Sequence, residues 1–222
     1  MCFSATASFS ASALLLGVGT LTLISVRRPR ELPFASIPLL FAFQQLSEGL
    51  IWLSFSHEAQ LLNTVMTHIY SFFSHVLWPV YVPIAVLLLE PDGWRRRSLL
   101  AFVTAGLVVG IFLLYVLLVF PVVSRPVGNH MEYVSPHFFA LTTMALYLLS
   151  TTVCLLLSTH QTVKVFGLLS LLSFVAAYYF YTTWFISVWC FFAALMSVVV
   201  YLHFCPGLYS RYFPLMMKSM WK

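Results

Sequence analysis

Long uninterrupted apolar runs are the feature of this chain that most restricts its fold. A helix needs about 20 apolar residues to cross the hydrocarbon core of a bilayer, and the chain of 222 residues holds several runs of that length. Only 8% of the residues are charged, whereas a soluble domain carries about 25%. Because so few charges could not cover a globule with polar surface, the sequence predicts an all-α polytopic membrane protein surrounded by the lipid bilayer.

The apolar runs divide into seven predicted spans that form a seven-transmembrane-helix bundle. Pro79 and Pro83 lie inside the third run and predict a kink there. The last apolar block is long enough for two spans, and the polar break Tyr181-Thr182-Thr183-Trp184 predicts the turn between them. The spans are expected at about residues 3–26, 33–55, 62–89, 98–120, 138–158, 165–181 and 185–204. Residues 1–222 thus form a single transmembrane domain, with a cytoplasmic interfacial tail predicted at residues 205–222.

The basic residues predict the orientation of the bundle. With seven spans, ten of the eleven Lys and Arg residues fall on one side, and Arg125 alone falls on the other. Because Lys and Arg concentrate in cytoplasmic loops, the N-terminus is expected outside and the C-terminus inside. Arg125 lies in the longest loop, residues 121–137, which is long enough to form a small cap over the outer end of the bundle.

Polar side chains inside the spans are the candidates for function, because an ionisable group at membrane depth is costly. Glu48 lies well inside span two, and the two histidines of span three lie seven residues apart on one helical face. If these two spans pack as a hairpin, the glutamate and the histidines converge in the outer half of the bundle. The predicted ligand or proton site consists of Gln44, Gln45, Glu48, His68, Ser71 and His75.

Both a functional and a structural role fit this group of residues. Glu and His in a bundle interior serve proton relays or metal coordination, whereas a protonated Glu bonded between helices can also hold the helices together. Cys2 and Cys190 fall on the outer side. There they can form a disulfide, or join Glu48 and His68 as ligands of a soft metal ion. A transition metal ion is therefore the candidate cofactor.

Three functions are compatible with these residues. The leading hypothesis is transport or conduction of a proton, a metal ion or a small solute, with Glu48 as the titratable or ligand group. The alternatives are an intramembrane metal-dependent enzyme acting on a lipid or small molecule, and a ligand-binding sensor or assembly subunit. A nucleic-acid partner is excluded because no soluble basic domain is predicted, and an oligomer is compatible with the sequence.

Several segments resemble a family of bacterial membrane proteins of unknown function. The start MCFSATASF is similar to the opening of that family, and the rest of the resemblance lies in ELPF (residues 31–34), QQLSEGLIW (44–52), WP (78–79) and WCFFAA (189–194). The resemblance implies a shared multi-helix membrane fold and no activity. Together with the basic residues, it predicts a bacterial inner membrane location with a periplasmic N-terminus and a cytoplasmic C-terminus.

A second resemblance involves a short element of span three. Ser71-x-x-x-His75 is similar to the Ser-x-x-x-His element of the ceramidase-like family of seven-helix zinc hydrolases. Those enzymes also use a His-x-x-x-His pair late in the chain, where this sequence offers His203 alone. The resemblance implies an intramembrane zinc hydrolase whose metal site this pattern leaves incomplete.

Overall fold

Seven helices make up most of the computed structural model, which describes residues 4–91, 93–128 and 130–205. Six of them are long and apolar enough to cross a membrane by length and composition. These are α1 (Ala5–Ile24), α2 (Pro29–Ser56), α3 (Gln60–Leu89), α4 (Trp94–Val119), α6 (Gln161–Phe180) and α7 (Thr182–Phe204). Helix α5 (Leu141–Leu156) is shorter. The chain is therefore a polytopic membrane protein, as its apolar runs predict, and its surroundings are a lipid bilayer.

Helices α3 and α5 each contain a π-helical segment, over Phe72–Leu77 and Leu149–Val153 respectively. In α3 this segment ends just before Trp78-Pro79. Pro79 has no N–H to donate to the carbonyl of His75 one turn earlier, which accounts for an irregular helix at this point. The prolines of span three therefore mark a real interruption, and His75 lies buried within the π-helical segment.

The helices run between two ends of the bundle. The hairpin end carries two antiparallel strands, β1 (Val123–Val127) and β2 (His130–Val134), in the connection from α4 to α5. At the opposite end, Glu90 after α3 bonds to Ser158 after α5. We call this the arginine end, because it holds seven of the eight Lys and Arg residues that the structure describes. They are Arg27, Arg28, Arg30, Arg95, Arg96, Arg97 and Lys164.

Helix α5 spans only about 24 Å at 1.5 Å per residue, but the chain around it still passes from one end of the bundle to the other. Before the helix, Ser135 and Phe138 are buried, with 5% and 2% of their surface exposed. The Ser135 hydroxyl lies 2.9 Å from His75 Nε2, which ties this non-helical segment to α3. Irregular backbone inside a membrane protein is tolerated where protein surrounds it, and this segment together with α5 forms the fifth pass of the chain along the bundle.

The β-hairpin caps one end of an otherwise all-α bundle. Tyr133 is buried and stacks on Tyr70 of α3 with ring centroids 4.3 Å apart. His130 stacks on Trp184 at the start of α7, at 4.4 Å. The loop after α4 therefore closes the bundle, as its length suggests, but it does so with paired strands.

Helices α3 and α4 approach each other closely at two glycines. A Cβ atom on Gly106 would overlap the carbonyl oxygen of Pro79, and one on Gly110 would lie 2.6 Å from a Val80 methyl carbon. Gly-x-x-x-Gly spacing is typical of helices whose backbones approach closely in membranes. This contact fixes α4 against the interrupted part of α3.

Candidate functional site

Glu48 lies in the middle of α2 and is fully buried. The hydroxyl of Ser187 on α7 donates a hydrogen bond to Glu48 Oε1 at 2.6 Å, a length typical of a hydroxyl bonded to a carboxylate. Cys190 lies one helical turn after Ser187, and its thiol is beside Glu48 and Gln44. A polar contact between α2 and α7, residues far apart in the sequence, is therefore built around this carboxyl group.

Gln44 joins the same contact to α3. The indole N–H of Trp78 donates to Gln44 Oε1 at 2.7 Å, and the Trp78 ring stacks on Phe41 at 3.9 Å. Tyr70 of α3 is fully buried and also lies beside Cys190. We call Gln44, Glu48, Tyr70, Ser187 and Cys190 the polar centre. It connects α2, α3 and α7, and the stacking of Tyr133 on Tyr70 closes it from the hairpin end.

His75 belongs to a second polar group, which lies on α3 after Tyr70 of the polar centre. Its Nδ1 lies 2.8 Å from the Ser74 hydroxyl and its Nε2 lies 2.9 Å from the Ser135 hydroxyl. The Tyr147 hydroxyl of α5 donates to the Ser74 carbonyl. Both ring nitrogens of His75 are thus held by serines, and these bonds fasten the π-helical segment of α3 to the fifth pass.

The other predicted residues of α2 and α3 lie in different surroundings. His68 is partly exposed, and its Nδ1 bonds to the carbonyl of Thr64 in its own helix at 2.7 Å. Gln45 and Ser71 are fully buried, and within the described residues neither side chain finds a hydrogen-bond partner. The structure therefore brings Gln44 close to Glu48, while His68 bonds to a carbonyl of its own helix.

One of the four residues of the predicted metal site, Cys2, lies outside the part of the chain that the structure describes. Among residues 4–91, 93–128 and 130–205, no three His, Cys, Asp or Glu side chains come together as metal ligands would. Of the predicted set of Glu48, His68, Cys2 and Cys190, the structure places Glu48 beside Cys190, and Cys2 lies outside those residues. Metal binding by this set therefore stays a prediction.

A small internal cavity adjoins the polar centre at Cys190. Its volume is about 40 Å³, and most of its wall is aromatic or aliphatic. The polar side chains that line it are Tyr147, Thr151, Thr152, Ser170 and Cys190. Both threonines lie in the π-helical segment of α5. A space of this size has the volume of about one to three water molecules, but the surface that faces it is almost entirely apolar.

Glu90 is a buried carboxyl group that the sequence did not single out. It follows the last residue of α3 and is 4% exposed. Its oxygens accept hydrogen bonds from the Ser158 hydroxyl at 2.9 Å and from the Thr159 backbone N–H at 2.8 Å. The Pro91 that follows is typical of a loop, and loops are mostly exposed. The available signal therefore pointed away from burial.

His203, which the ceramidase-like resemblance would require near a zinc ion, lies at the arginine end. Its Nδ1 is 2.7 Å from the Thr162 hydroxyl at the start of α6. His75, by contrast, bonds to Ser135 close to the β-hairpin. Within the part of the chain that the structure describes, these two histidines share no group of metal ligands.

Comparison with known proteins gives a family without an activity. No curated protein matches the chain, and no solved structure does. One family model matches residues 1–207, which include all seven helices, the β-hairpin and the whole polar centre. This agrees with the resemblance seen in the sequence to a family of unknown function, and it gives no support to the ceramidase-like one. The chain belongs to DUF6629, a family of unknown function.

Proposed function

We propose that the protein conducts or transports protons across the membrane, with Glu48 as the group that takes up and releases the proton. The observation that carries this proposal is the fully buried Glu48 carboxyl group, bonded across the bundle to Ser187. An ionisable side chain in the middle of a membrane helix is costly, and most such groups serve function. A glutamine would connect α2 to α7 at lower cost, so a change of protonation explains the carboxyl group better than helix packing does.

The groups next to Glu48 support a proton as the transported species. Ser187, Cys190 and Ser197 are spaced by three and seven residues on α7, so they share one helical face that continues from Glu48 toward the arginine end. The cavity of about 40 Å³ adjoins Cys190 on this route. Its small volume suits a proton relay better than the passage of a large solute. Water and hydroxyl groups pass protons between them, whereas a solute needs a wider path.

The orientation that fits this proposal has the hairpin end in the periplasm and the arginine end in the cytoplasm of a bacterium. Seven of the eight described Lys and Arg residues lie at the arginine end, and cytoplasmic loops are rich in such residues. Seven passes then place the N-terminus outside. A fluorescent protein fused to the C-terminus should fluoresce, and a phosphatase fused there should be inactive; the reverse pattern would refute this orientation.

Proton flux into liposomes tests the function directly. The purified full chain is reconstituted with a pH-sensitive dye inside the vesicles, and a potassium gradient with valinomycin supplies the membrane potential. We expect wild-type vesicles to acidify faster than protein-free vesicles. Glu48→Gln should reduce this flux by at least about tenfold, the loss typical of removing one positioned proton-transfer group.

Glu58→Gln is the matched control for this experiment. Glu58 lies in the connection between α2 and α3 and is exposed, so the same chemical change there should leave the flux unchanged. The proposal fails if wild-type protein gives no flux above protein-free vesicles. It fails equally if Glu48→Gln and Glu58→Gln behave alike.

A further inference from the structure

We propose that the arginine end binds the phosphate group of an anionic ligand. A pocket of about 400 Å³ opens there between the start of α2, the end of α3, the start of α6 and the end of α7. It lies at the opposite end of the bundle from the hairpin that covers the polar centre, and the proposal does not depend on proton transport. The charged or titratable side chains that line the pocket are Arg28, Arg30, Glu31, Glu90, His160 and His203.

The two carboxylates of the pocket are already engaged by their own surroundings. Glu31 Oε2 accepts hydrogen bonds from the backbone N–H groups of Arg27 and Arg28, each at 3.2 Å. Glu90 accepts from Ser158 and Thr159. Both glutamates therefore hold the turns that shape the pocket, and the donors that surround them partly offset their negative charge.

Arginine side chains supply the positive charge. Arg28 and Arg30 are exposed and flank the turn that precedes Glu31, so their guanidinium groups are available to a ligand. The planar guanidinium group donates two parallel hydrogen bonds to a phosphate. The formal charges of these two arginines and two glutamates cancel, but the other basic residues of the arginine end surround the pocket and favour an anion.

The histidines at the start of α6 and the end of α7 provide the second part of the site. His160 and His203 lie edge to face with ring centroids 4.9 Å apart. His160 Nε2 is buried, and within the described residues it has no hydrogen-bond partner. A buried polar atom without a partner is costly, and a rotation of the His160 ring that brings this nitrogen to a phosphate oxygen in the pocket would relieve the cost.

The start of helix α6 adds to the preference for an anion. His160 is the residue before the first turn, which contains no acidic residue and has no side-chain cap. The N–H groups at a helix N-terminus and the helix dipole favour a negative group at this position. Leu88 and Leu89 form an apolar part of the pocket wall, which suits the glycerol and acyl portion of a phospholipid. Basic pockets between membrane helices bind phospholipid headgroups in this manner.

Binding of two phosphate compounds by the purified full chain tests the site. Native mass spectrometry measures retention of phosphatidylglycerol, and equilibrium dialysis measures binding of inorganic phosphate. The test variant is Arg28→Gln/Arg30→Gln. The control is Arg96→Gln/Arg97→Gln, which removes the same charge from the same end without touching the lining of this pocket. We expect the test variant to weaken binding by at least about tenfold and the control by about threefold or less.

The outcomes separate the two sources of phosphate. Binding of phosphatidylglycerol alone identifies a lipid headgroup site, and binding of inorganic phosphate as well identifies a site for free phosphate. His160→Ala, which removes only the ring that carries the unpaired nitrogen, should weaken binding by about fivefold and serves as an independent probe should the arginine variant not fold. Binding of neither compound overturns the proposal, as does equal weakening by the two double variants.

Discussion

Glu48 and Glu90 are both buried carboxyl groups, but they sit in opposite kinds of surroundings. Glu90 follows the end of α3 and accepts bonds from a serine and a backbone N–H in the connection between α5 and α6. Glu48 lies in the middle of α2 and accepts from Ser187, on the last helix of the bundle. The first carboxylate ties two loops together near the basic surface, and the second joins two helices inside the bundle.

The difference separates a structural carboxylate from a functional candidate. Glu90 satisfies donors that would otherwise be buried without an acceptor, so its contribution should appear in the stability of the protein. The bonds around Glu48 could be made by an amide, so its charge should appear in activity more than in stability. The predictions that follow test this contrast, from the largest expected effect to the smallest.

The largest loss of stability should come from Gly106→Val, because this substitution disrupts the packing of α4 against α3. Helix α3 contributes to the polar centre and leads directly into Glu90. The valine side chain would overlap the Pro79 carbonyl, and overpacking of this kind costs about 3 kcal/mol or more. We expect little folded protein in detergent, as measured by size-exclusion chromatography. Gly17→Val is the control, since nothing lies within 4 Å of a Cβ atom there, and an equal loss in the two variants would contradict the packing argument.

Glu90→Ala should lower the free energy of unfolding by about 2 kcal/mol, because the buried Ser158 hydroxyl loses its acceptor and the bond to the Thr159 N–H is also lost. Chemical unfolding in mixed micelles measures this change. Proton flux per folded molecule should stay at the wild-type level. The exposed Glu58 gives the matched control: Glu58→Ala should change stability by about 0.5 kcal/mol or less. A flux loss in Glu90→Ala as deep as that in Glu48→Gln would erase the distinction between the two carboxylates.

Ser187→Ala should affect the polar centre with a moderate cost in stability. The variant loses the 2.6 Å bond to Glu48, which is worth about 1–2 kcal/mol. We expect proton flux to fall severalfold in the liposome assay. Ser173→Ala makes the same change at a buried serine whose hydroxyl bonds to a carbonyl of its own helix, so it should keep normal flux. Equal fluxes in these two variants would mean that Ser187 does not act on Glu48.

The smallest effect concerns pH at the hairpin end. Burial lowers the pKa of His130 below its ordinary value of 6.5. The unfolded chain therefore binds a proton more readily than the folded one, and stability should fall as the pH drops below about 6.5. His130→Asn removes this contribution, so the unfolding temperature of wild type should drop more than that of the variant between pH 7.5 and pH 5. Parallel curves would show that His130 does not contribute.

Much of the fold could be predicted from the sequence because apolar length and proline position act locally. The break at Tyr181–Trp184 and the interruption before Pro79 both follow from such signals. The β-hairpin could not be predicted from the sequence, because its strands are short and β1 contains Pro126, which is unfavourable in most strands. Helix α4 starts at Trp94, earlier than the expected Ser98. Its first turn contains the charged residues Arg95–Arg97, so a prediction based on apolar runs begins the helix after them.

The candidate site was predictable only in part. Glu48 stood out because an ionisable residue interrupts an apolar run, and Gln44 followed from helical spacing. Ser187 carried no such signal, because a serine in a membrane helix is ordinary and its contact depends on how α7 packs against α2. His68 and His75 share a helical face by spacing, but the π-helical segment that begins at Phe72 changes the direction of the residues after it.

The unequal lengths of α4 and α5 have a consequence for the surrounding lipid. These neighbouring helices differ in length by about 15 Å at 1.5 Å per residue, and the charged first turn of α4 accounts for part of that difference. We expect the lipid annulus to be thinner beside α5 than beside α4, and α4 to tilt so that its longer apolar run fits the bilayer. A bundle whose apolar height differs from side to side should bind short-chain lipids preferentially beside α5 and should favour thin regions of the membrane.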